Sequence, residues 1–129
     1  MISVIIPCLN EEENLAILLG QLIDQKDISL EILVVDGGST DDTTLRATEY
    51  DARVIHSPRG RGCQQNKGAA EAAGEYLLFL HADSRLEHDQ QLSQSLSCIQ
   101  QAAKRTAGHF RLRFETDRNE VRERLRLFE

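Results

Sequence analysis

Four short segments of this chain are rich in apolar residues, at residues 2–7 (ISVIIP), 30–36 (LEILVVD), 53–56 (RVIH) and 75–82 (EYLLFLHA), and in the fourth the run from Leu77 to Leu80 is unbroken. Unbroken runs of this length are typical of parallel strands that are covered on both faces, so we expect the fourth run to lie in the middle of a sheet. Pro7 should end the first strand, because proline has no N–H to donate to a ladder.

The segments between these runs carry the spacing of amphipathic helices. Apolar residues recur on one face after the first run, namely Leu15, Leu18, Leu19, Leu22 and Ile23. Asn10 and Ser39 precede the first two helices at capping-box spacing, and Asn10 is the expected N-cap of the first. Further helices are predicted over about 63–73 and 88–105, the second with Leu92, Leu96, Ile99 and Ala103 on one face.

Strand and helix alternate four times, which predicts an α/β fold of Rossmann-like type. Such a fold is a three-layer sandwich with a mostly parallel central sheet and right-handed crossovers. We expect a single domain over residues 1–129, with its core over about 1–106. Residues 107–129 should add a strand over 109–115, with Phe110, Leu112 and Phe114 on one side, and a basic C-terminal helix over about 117–128.

Composition is typical of a globular domain with one core. The chain has 129 residues, of which 40% are hydrophobic and 28% charged. No apolar run approaches the roughly 18 residues of a membrane span, and the N-terminus has no basic start or cleavage site, so the expected location is the cytoplasm. Three unpatterned cysteines, Cys8, Cys63 and Cys98, indicate reduced thiols rather than a zinc site or disulfides.

The cysteines are more simply packing residues than reactive groups. Cys63 lies at a predicted helix start beside Arg61, where a thiol could be activated, but no histidine partner can be placed, so a small packing residue is preferred. Cys8 and Cys98 are expected to be buried.

Charge is unevenly distributed along the chain. The net charge of −6 argues against general nucleic-acid binding. Residues 1–100 contain seven Lys and Arg against 16 Asp and Glu, whereas residues 101–129 contain eight against five. The basic tail is either a solvated helix face or a docking surface for a partner or an anionic membrane, which would place the protein at the inner membrane face.

Polar groups follow three of the four predicted strands, where a parallel sheet brings strand ends to one edge. They are Asn10 and Glu11, Asp36, and the pair His81 and Asp83. Carboxylates placed together cost stability unless a cation or a donor-rich ligand meets them, so this edge is a candidate site. Asp83 could instead cap the helix that follows it.

A basic glycine-rich loop follows the third strand. Arg59 and Arg61, with a helix start directly behind them, could clamp a diphosphate, and a solvated surface loop is the alternative. The chain contains no GxxxxGK[ST] motif and no GxGxxG after its first strand, which disfavours a P-loop enzyme and a dinucleotide enzyme.

Three blocks of sequence resemble the nucleotide-binding half of family 2 glycosyltransferases, which have the GT-A fold. The blocks are SVIIPCLNEEENL, EILVVDGGSTDDT and GRGCQQNKGAAEAAGEYLLFLHADS, in the family's order and spacing over residues 2–84. The FLHADS and GHFRLRF segments resemble a bacterial subgroup whose substrates are poorly defined. The resemblance implies a GT-A-like domain, truncated at its C-terminal side, that binds a nucleotide-diphosphate sugar.

Carried over by position, the donor-binding residues are Pro7, Asn10, Glu11, Asp36, Arg61, Lys67, Ala82 and Asp83. Pro7, Asn10 and Glu11 would border the nucleoside. The resemblance implies that Asp36 faces the base, typically uracil, and that Arg61 and Lys67 lie near the base or diphosphate.

The resemblance also assigns a metal site. Asp83 would be the last aspartate of a DXD motif and hold Mn²⁺ or Mg²⁺ against the diphosphate, as hard cations prefer oxygen ligands. His81 replaces the first aspartate and is a weaker ligand, acceptable to Mn²⁺.

The chain departs from the family in two further respects. A second aspartate is common in the family beside the position of Asp36, where this chain has Gly37. Nothing after Glu115 resembles the acceptor half, which carries the general base, so no catalytic residue is assigned.

These observations leave more than one function open. The first is UDP-sugar-dependent glycosyl transfer to an unknown acceptor with a divalent metal, and the alternative is an inactive nucleotide-binding or partner-binding module. A nucleotidyltransferase is disfavoured, because residues 7–10 lack the glycine-rich basic loop that it needs. A sheet cut short would also expose an edge, which favours a homo-oligomer.

Overall fold

A computed structural model describes residues 1–102 and 107–110 of the chain. Strands and helices alternate through this part in the order β1 Ile2–Cys8, α1 Glu12–Ile23, β2 Leu30–Asp36, α2 Thr43–Glu49, β3 Arg53–His56, α3 Arg61–Glu71, β4 Tyr76–Phe79 and α4 Gln91–Gln101. The predicted α/β architecture is confirmed. The predicted helix over 117–128 and most of the predicted strand over 109–115 lie outside the described residues.

The described strands form one parallel sheet in the order β3-β2-β1-β4. The chain adds β2 and β3 on one side of β1, and α3 then returns it to the other side, where β4 pairs with β1. The strand order therefore reverses between β1 and β4. In α/β sheets the loops at such a reversal diverge and leave a crevice beyond the carboxyl ends of the strands.

The sheet has an apolar core on each face. On one face, α1 is buried through Leu15, Leu18, Leu19 and Leu22 against alternate residues of β1, together with Ala47 of α2 and Leu92 of α4. On the other face, Ala69 and Ala72 of α3 pack on a smaller cluster formed by Ile5, Leu33, Val35 and Ile55. Alternate side chains of one strand thus serve both cores, which explains why β1 and β2 carry apolar residues on both faces.

β4 lies at the edge of the sheet that the described strands form, and its place in the middle of a larger sheet stays a prediction. β4 pairs only with β1 among the described strands, and Leu77 and Phe79 are each 45% exposed. Among the described elements, α3 packs mainly over β1 and β2, which leaves these two side chains partly open. Within the described residues, β4 thus has a free edge and a half-open apolar face, and self-association through it stays a prediction.

Several predicted element boundaries also shift. α1 begins at Glu12 without a side-chain capping bond, because the Asn10 amide oxygen accepts a hydrogen bond from Thr40 N instead. α2 begins at Thr43, one turn after the predicted start at Ser39. β1 continues through Pro7 to Cys8, whose carbonyl accepts a hydrogen bond from Gly37 N at 2.9 Å.

Three predicted packing residues are on the surface. Ile23 is 56% exposed at the last position of α1, beyond the part of the helix that the sheet covers. Cys63 and Cys98 are exposed, whereas Cys8 is buried as predicted, and all three are free thiols. Among the residues that the structure describes, no helix has the length and apolar character needed to cross a bilayer.

Gly68 lets α3 lie close against the sheet. An added Cβ at this position would be 2.5 Å from Ile5 Cγ2 and 3.0 Å from Val35 Cγ2. Both neighbours are fully buried in β1 and β2, so neither can move without disturbing the core. The absence of a side chain at Gly68 therefore sets the distance between helix and sheet.

Gly68→Ala should destabilise the fold by about 1–3 kcal/mol, because overpacking a close helix–sheet contact forces backbone shifts. Gly62→Ala is the matched control, since Gly62 lies in the same helix with nothing within 4 Å of an added Cβ. There alanine should be neutral or stabilising by up to about 1 kcal/mol. Denaturant midpoints measure both changes, and equal effects would show that helix propensity, not packing, decides at Gly68.

Candidate functional site

An open cavity of about 490 Å³ lies at the reversal of strand order, beyond the carboxyl ends of β1 and β4. Its lining residues are Pro7, Cys8, Leu9, Glu11, Arg59, Gly60, Arg61, Gln64, His81, Ala82 and Asp83. They come from the end of β1, the start of α3 and the loop after β4. The volume is within the range of small-molecule sites, about 300–1,000 Å³.

The cavity places basic and acidic groups around one space. Arg59 and Arg61 stand at the start of α3, and Asp83 and His81 lie on the loop after β4. All four side chains belong to exposed residues and form no hydrogen bond or ion pair with other described residues. Their polar and charged atoms are therefore not used by the described part of the fold and can serve a ligand.

Arg59 and Arg61 form the basic wall of the cavity, and Gly60 lies between them. Gly60 has φ 144° and ψ 122°, a conformation that residues with a side chain rarely adopt, and it is the N-cap of α3. Its conformation brings Arg59 and Arg61 into the lining of one cavity together with the helix N-terminus. Backbone N–H groups and two guanidinium groups in one place suit a diphosphate.

Gln64 connects the start of α3 to the sheet, and it is not among the site residues predicted from the sequence. Its amide nitrogen donates hydrogen bonds to the carbonyl oxygens of Cys8 at 2.9 Å and Val35 at 2.7 Å. The residue is only 5% exposed. Its one visible signal is position, because Gln64 shares the inner face of α3 with Gly68, where an apolar residue would be expected.

Cys8 lines the cavity but is not a nucleophile at neutral pH. Burial raises the pKa of its thiol to about 12, and the negative charges of Glu11, Asp36 and Asp41 add to the effect. The protonated thiol contacts the carbonyl oxygen of Ile6 at 3.6 Å. Cys8 is therefore a packing residue in the cavity wall.

Asp36 is close to the cavity but turned into the loop after β2. Its carboxylate accepts hydrogen bonds from Gly38 N at 3.1 Å and Ser39 N at 3.1 and 3.2 Å. His56 Nδ1 lies 3.6 Å from the same carboxylate, and Asp36 is 3% exposed. The carboxylate holds the turn in this structure, and its contact with a base stays a prediction.

The structure brings most of the predicted site residues together. Pro7, Glu11, Arg61, Ala82 and Asp83 line the cavity with His81, whereas Asn10, Asp36 and Lys67 are not among its lining residues. Asn10 has a positive φ of 54° and binds the loop after β2 through Thr40 and Ser39. Lys67 is exposed on α3.

The alternative role of Asp83 as a helix cap is wrong. The next helix begins at Gln91, and its N-cap is Gln90. Asp83 lies seven residues before that cap, in a turn closed by a hydrogen bond from Ser84 N to His81 O at 3.0 Å. Its carboxylate is therefore not needed to start a helix.

The family model described as Glycosyl transferase family 2 matches residues 3–128. An uncharacterised glycosyltransferase of Mycobacterium tuberculosis is 34% identical over 87 residues, which cover 67% of this chain and 38% of that protein. The chain thus spans well under half the length of this relative.

Two proteins of known crystal structure are similar to this chain. Staphylococcus aureus TarS 1–349 in complex with UDP gives a TM-score of 0.68 at 28% identity, over 77% of this chain and 32% of TarS 1–349. Glucosyl-3-phosphoglycerate synthase of M. tuberculosis, with Mn²⁺, UDP and glucosyl-3-phosphoglycerate, gives 0.58 at 30% identity, over 64% of this chain and 33% of the synthase.

Proposed function

Because the chain belongs to glycosyl transferase family 2, we propose that it forms the donor site of a UDP-sugar-dependent glycosyltransferase that uses a divalent metal. The observation that carries the proposal is the cavity in which Arg59 and Arg61 face the same space as Asp83, all three without a side-chain partner among the described residues. A nucleoside diphosphate needs cationic groups for its phosphates and a carboxylate to recruit a metal ion. The UDP complexes of similar enzymes support the choice of nucleotide.

The residues fit a divalent cation that is bound jointly with its ligand. The described residues contain no cluster of three or more metal-ligating side chains, so they form no closed metal site. Mg²⁺ and related ions are commonly held by one or two carboxylates plus substrate phosphates and water, and the exposed Asp83 can supply such a carboxylate. We propose Asp83 as the main protein ligand and His81 as a weaker one that favours Mn²⁺.

The proposed chemistry follows from the charge that the leaving group develops. When the anomeric carbon separates from the diphosphate, negative charge grows on the phosphate oxygens. Arg59, Arg61 and the N–H groups at the start of α3 would stabilise that charge through hydrogen bonds to a charged acceptor. A bound cation would supply further neutralisation of the same oxygens.

A second candidate is a module that binds a nucleotide or a protein partner and catalyses nothing. His81 in place of the family's first aspartate favours it, because one carboxylate holds a metal less firmly than two. This candidate predicts nucleotide binding without transfer or hydrolysis of the donor.

We expect UDP to bind in the presence of Mn²⁺ and to raise the melting temperature of the chain, because a ligand that binds only the folded state stabilises it. Calorimetric and thermal-shift titrations of UDP, GDP, ADP and dTDP, each with and without Mn²⁺, measure this. GDP, ADP and dTDP are the matched controls, since they carry the same diphosphate.

Preference for UDP over the other three would support the proposed donor class. Equal binding of all four nucleotides would support the diphosphate site but contradict the proposed preference for uracil. No response to any of them would contradict the proposed function.

A further inference from the structure

Arg85 lies two residues after Asp83 in the loop after β4, and its side chain forms hydrogen bonds with the backbone around Asp83. One guanidinium nitrogen, Nη1, donates to the carbonyl oxygen of Ser84 at 2.9 Å and lies 3.4 Å from that of Ala82. Arg85 is half-buried, so these contacts are partly shielded from water. The backbone on both sides of Asp83 is therefore held by a single side chain.

The second guanidinium nitrogen of Arg85 connects this loop to α1. Nη2 donates to Asn14 Oδ1 at 2.7 Å, and Asn14 Nδ2 in turn donates to Glu11 Oε2 at 3.0 Å. Glu11 and Asp83 both line the cavity. The chain of hydrogen bonds thus runs from the backbone on either side of Asp83 to the carboxylate of Glu11, the residue that precedes α1.

The chemistry of these contacts requires arginine. A guanidinium group is planar, has five N–H donors and stays protonated, so it can serve three acceptors in different directions at once. A lysine ammonium lacks this planar, rigid set of donors, so it would hold fewer of the three acceptors in a fixed geometry. The turn at Asp83 is also closed by the bond from Ser84 N to His81 O, and the Asp83 carboxylate has no partner among the described residues.

We propose that Arg85 is a positioning residue that holds the Ala82–Ser84 backbone and, through Asn14, the Glu11 carboxylate, so that Asp83 and Glu11 meet a metal–diphosphate ligand as one unit. This inference rests on the proposed function. Side chains that orient metal ligands without touching the metal commonly affect affinity by about 10–100-fold. Arg85 acts on the ligand set in this indirect way.

The test compares four variants of the full chain. Arg85→Ala should raise the Mn²⁺ concentration for half-maximal UDP binding by about tenfold, and Arg85→Lys should restore only part of the loss. Asn14→Leu should weaken binding less, and the double variant Arg85→Ala, Asn14→Leu should lose less than the two single effects added, because the residues share one network.

Gln25→Ala is the matched structural control. Gln25, just after the end of α1, also ties this end to the segment after β4, through bonds to His88 O at 2.8 Å and Leu92 N at 3.0 Å, but it forms no bond with residues 81–85. Its replacement should lower the melting temperature without moving the Mn²⁺ dependence. A shift in Gln25→Ala as large as in Arg85→Ala would overturn the proposal, because general loosening would explain both.

Hydrogen exchange tests the same idea without a ligand. In Arg85→Ala the Ser84 amide should exchange at least about tenfold faster than in the parent chain, because its bond to His81 O opens more often. Unchanged exchange would overturn the inference whether or not nucleotide binds. Faster exchange with unchanged Mn²⁺ dependence would overturn it too, whereas a parent chain that binds no nucleotide would instead overturn the proposed function.

Discussion

Asp83→Asn should reduce the affinity for UDP in the presence of Mn²⁺ by about 100-fold or more, since the loss of an indirect partner of a metal ligand already costs about 10–100-fold. Asparagine keeps the shape and one oxygen but removes the charge that a hard cation requires. The free energy of unfolding should change by less than about 0.5 kcal/mol, because the carboxylate is exposed and has no partner among the described residues.

Calorimetry with and without Mn²⁺ measures the affinity, and denaturant unfolding measures the stability. Asp24→Asn is the matched control, because Asp24 is an exposed carboxylate at the C-terminus of α1, away from the cavity lining. Its affinity should equal that of the parent chain. If Asp83→Asn instead unfolds the protein and leaves the affinity of the folded fraction unchanged, Asp83 has a structural role and the metal assignment is wrong.

Gln64→Leu should lower the free energy of unfolding by about 2–4 kcal/mol. Leucine has similar size but no donor, so the carbonyl oxygens of Cys8 and Val35 lose the buried hydrogen bonds that Gln64 provides. Each lost buried bond of this kind costs about 1–3 kcal/mol. Urea unfolding measures the change. Gln65→Leu is the control, because Gln65 is half-buried in the same helix and forms no side-chain bond with described residues.

Gln64→Glu tests the same contact through pH. A carboxylate there would face two carbonyl oxygens, so the folded state should favour the neutral acid and raise the pKa of the new side chain above its usual value of about 4.3. The variant should therefore approach the parent in stability below about pH 4 and lose stability as the pH rises through the folded pKa. A constant difference between the two proteins from pH 4 to 8 would contradict the buried contact.

Local patterns predicted β2 and β3 at their observed bounds and α1 to within two residues, and they predicted the edge of the sheet where the site lies. Leu15, Leu18, Leu19 and Leu22 identified the buried face of α1, because a helical period depends only on neighbouring residues. The resemblance over residues 2–84 pointed to the family, and the family model confirms it.

Other features depend on contacts between distant parts of the chain. The apolar run of β4 predicts cover on both faces, but among the described elements α3 packs mainly over β1 and β2, and Leu77 and Phe79 are half-exposed. Asn10 has the spacing of an N-cap, but its side-chain oxygen Oδ1 accepts a hydrogen bond from Thr40 N in the loop after β2, at 2.8 Å, instead of capping α1.

Local sequence patterns predict the order of strands and helices, the family, and the charged residues at the ends of the strands. Which of those residues share a cavity, and what holds them there, depends on contacts in the folded chain. Gln64 reaches the carbonyl oxygens of Cys8 and Val35, and Arg85 reaches Asn14, across 56, 29 and 71 positions of the chain. A hydrogen bond depends on distance and angle in space, and neither is written in the spacing of residues along the chain.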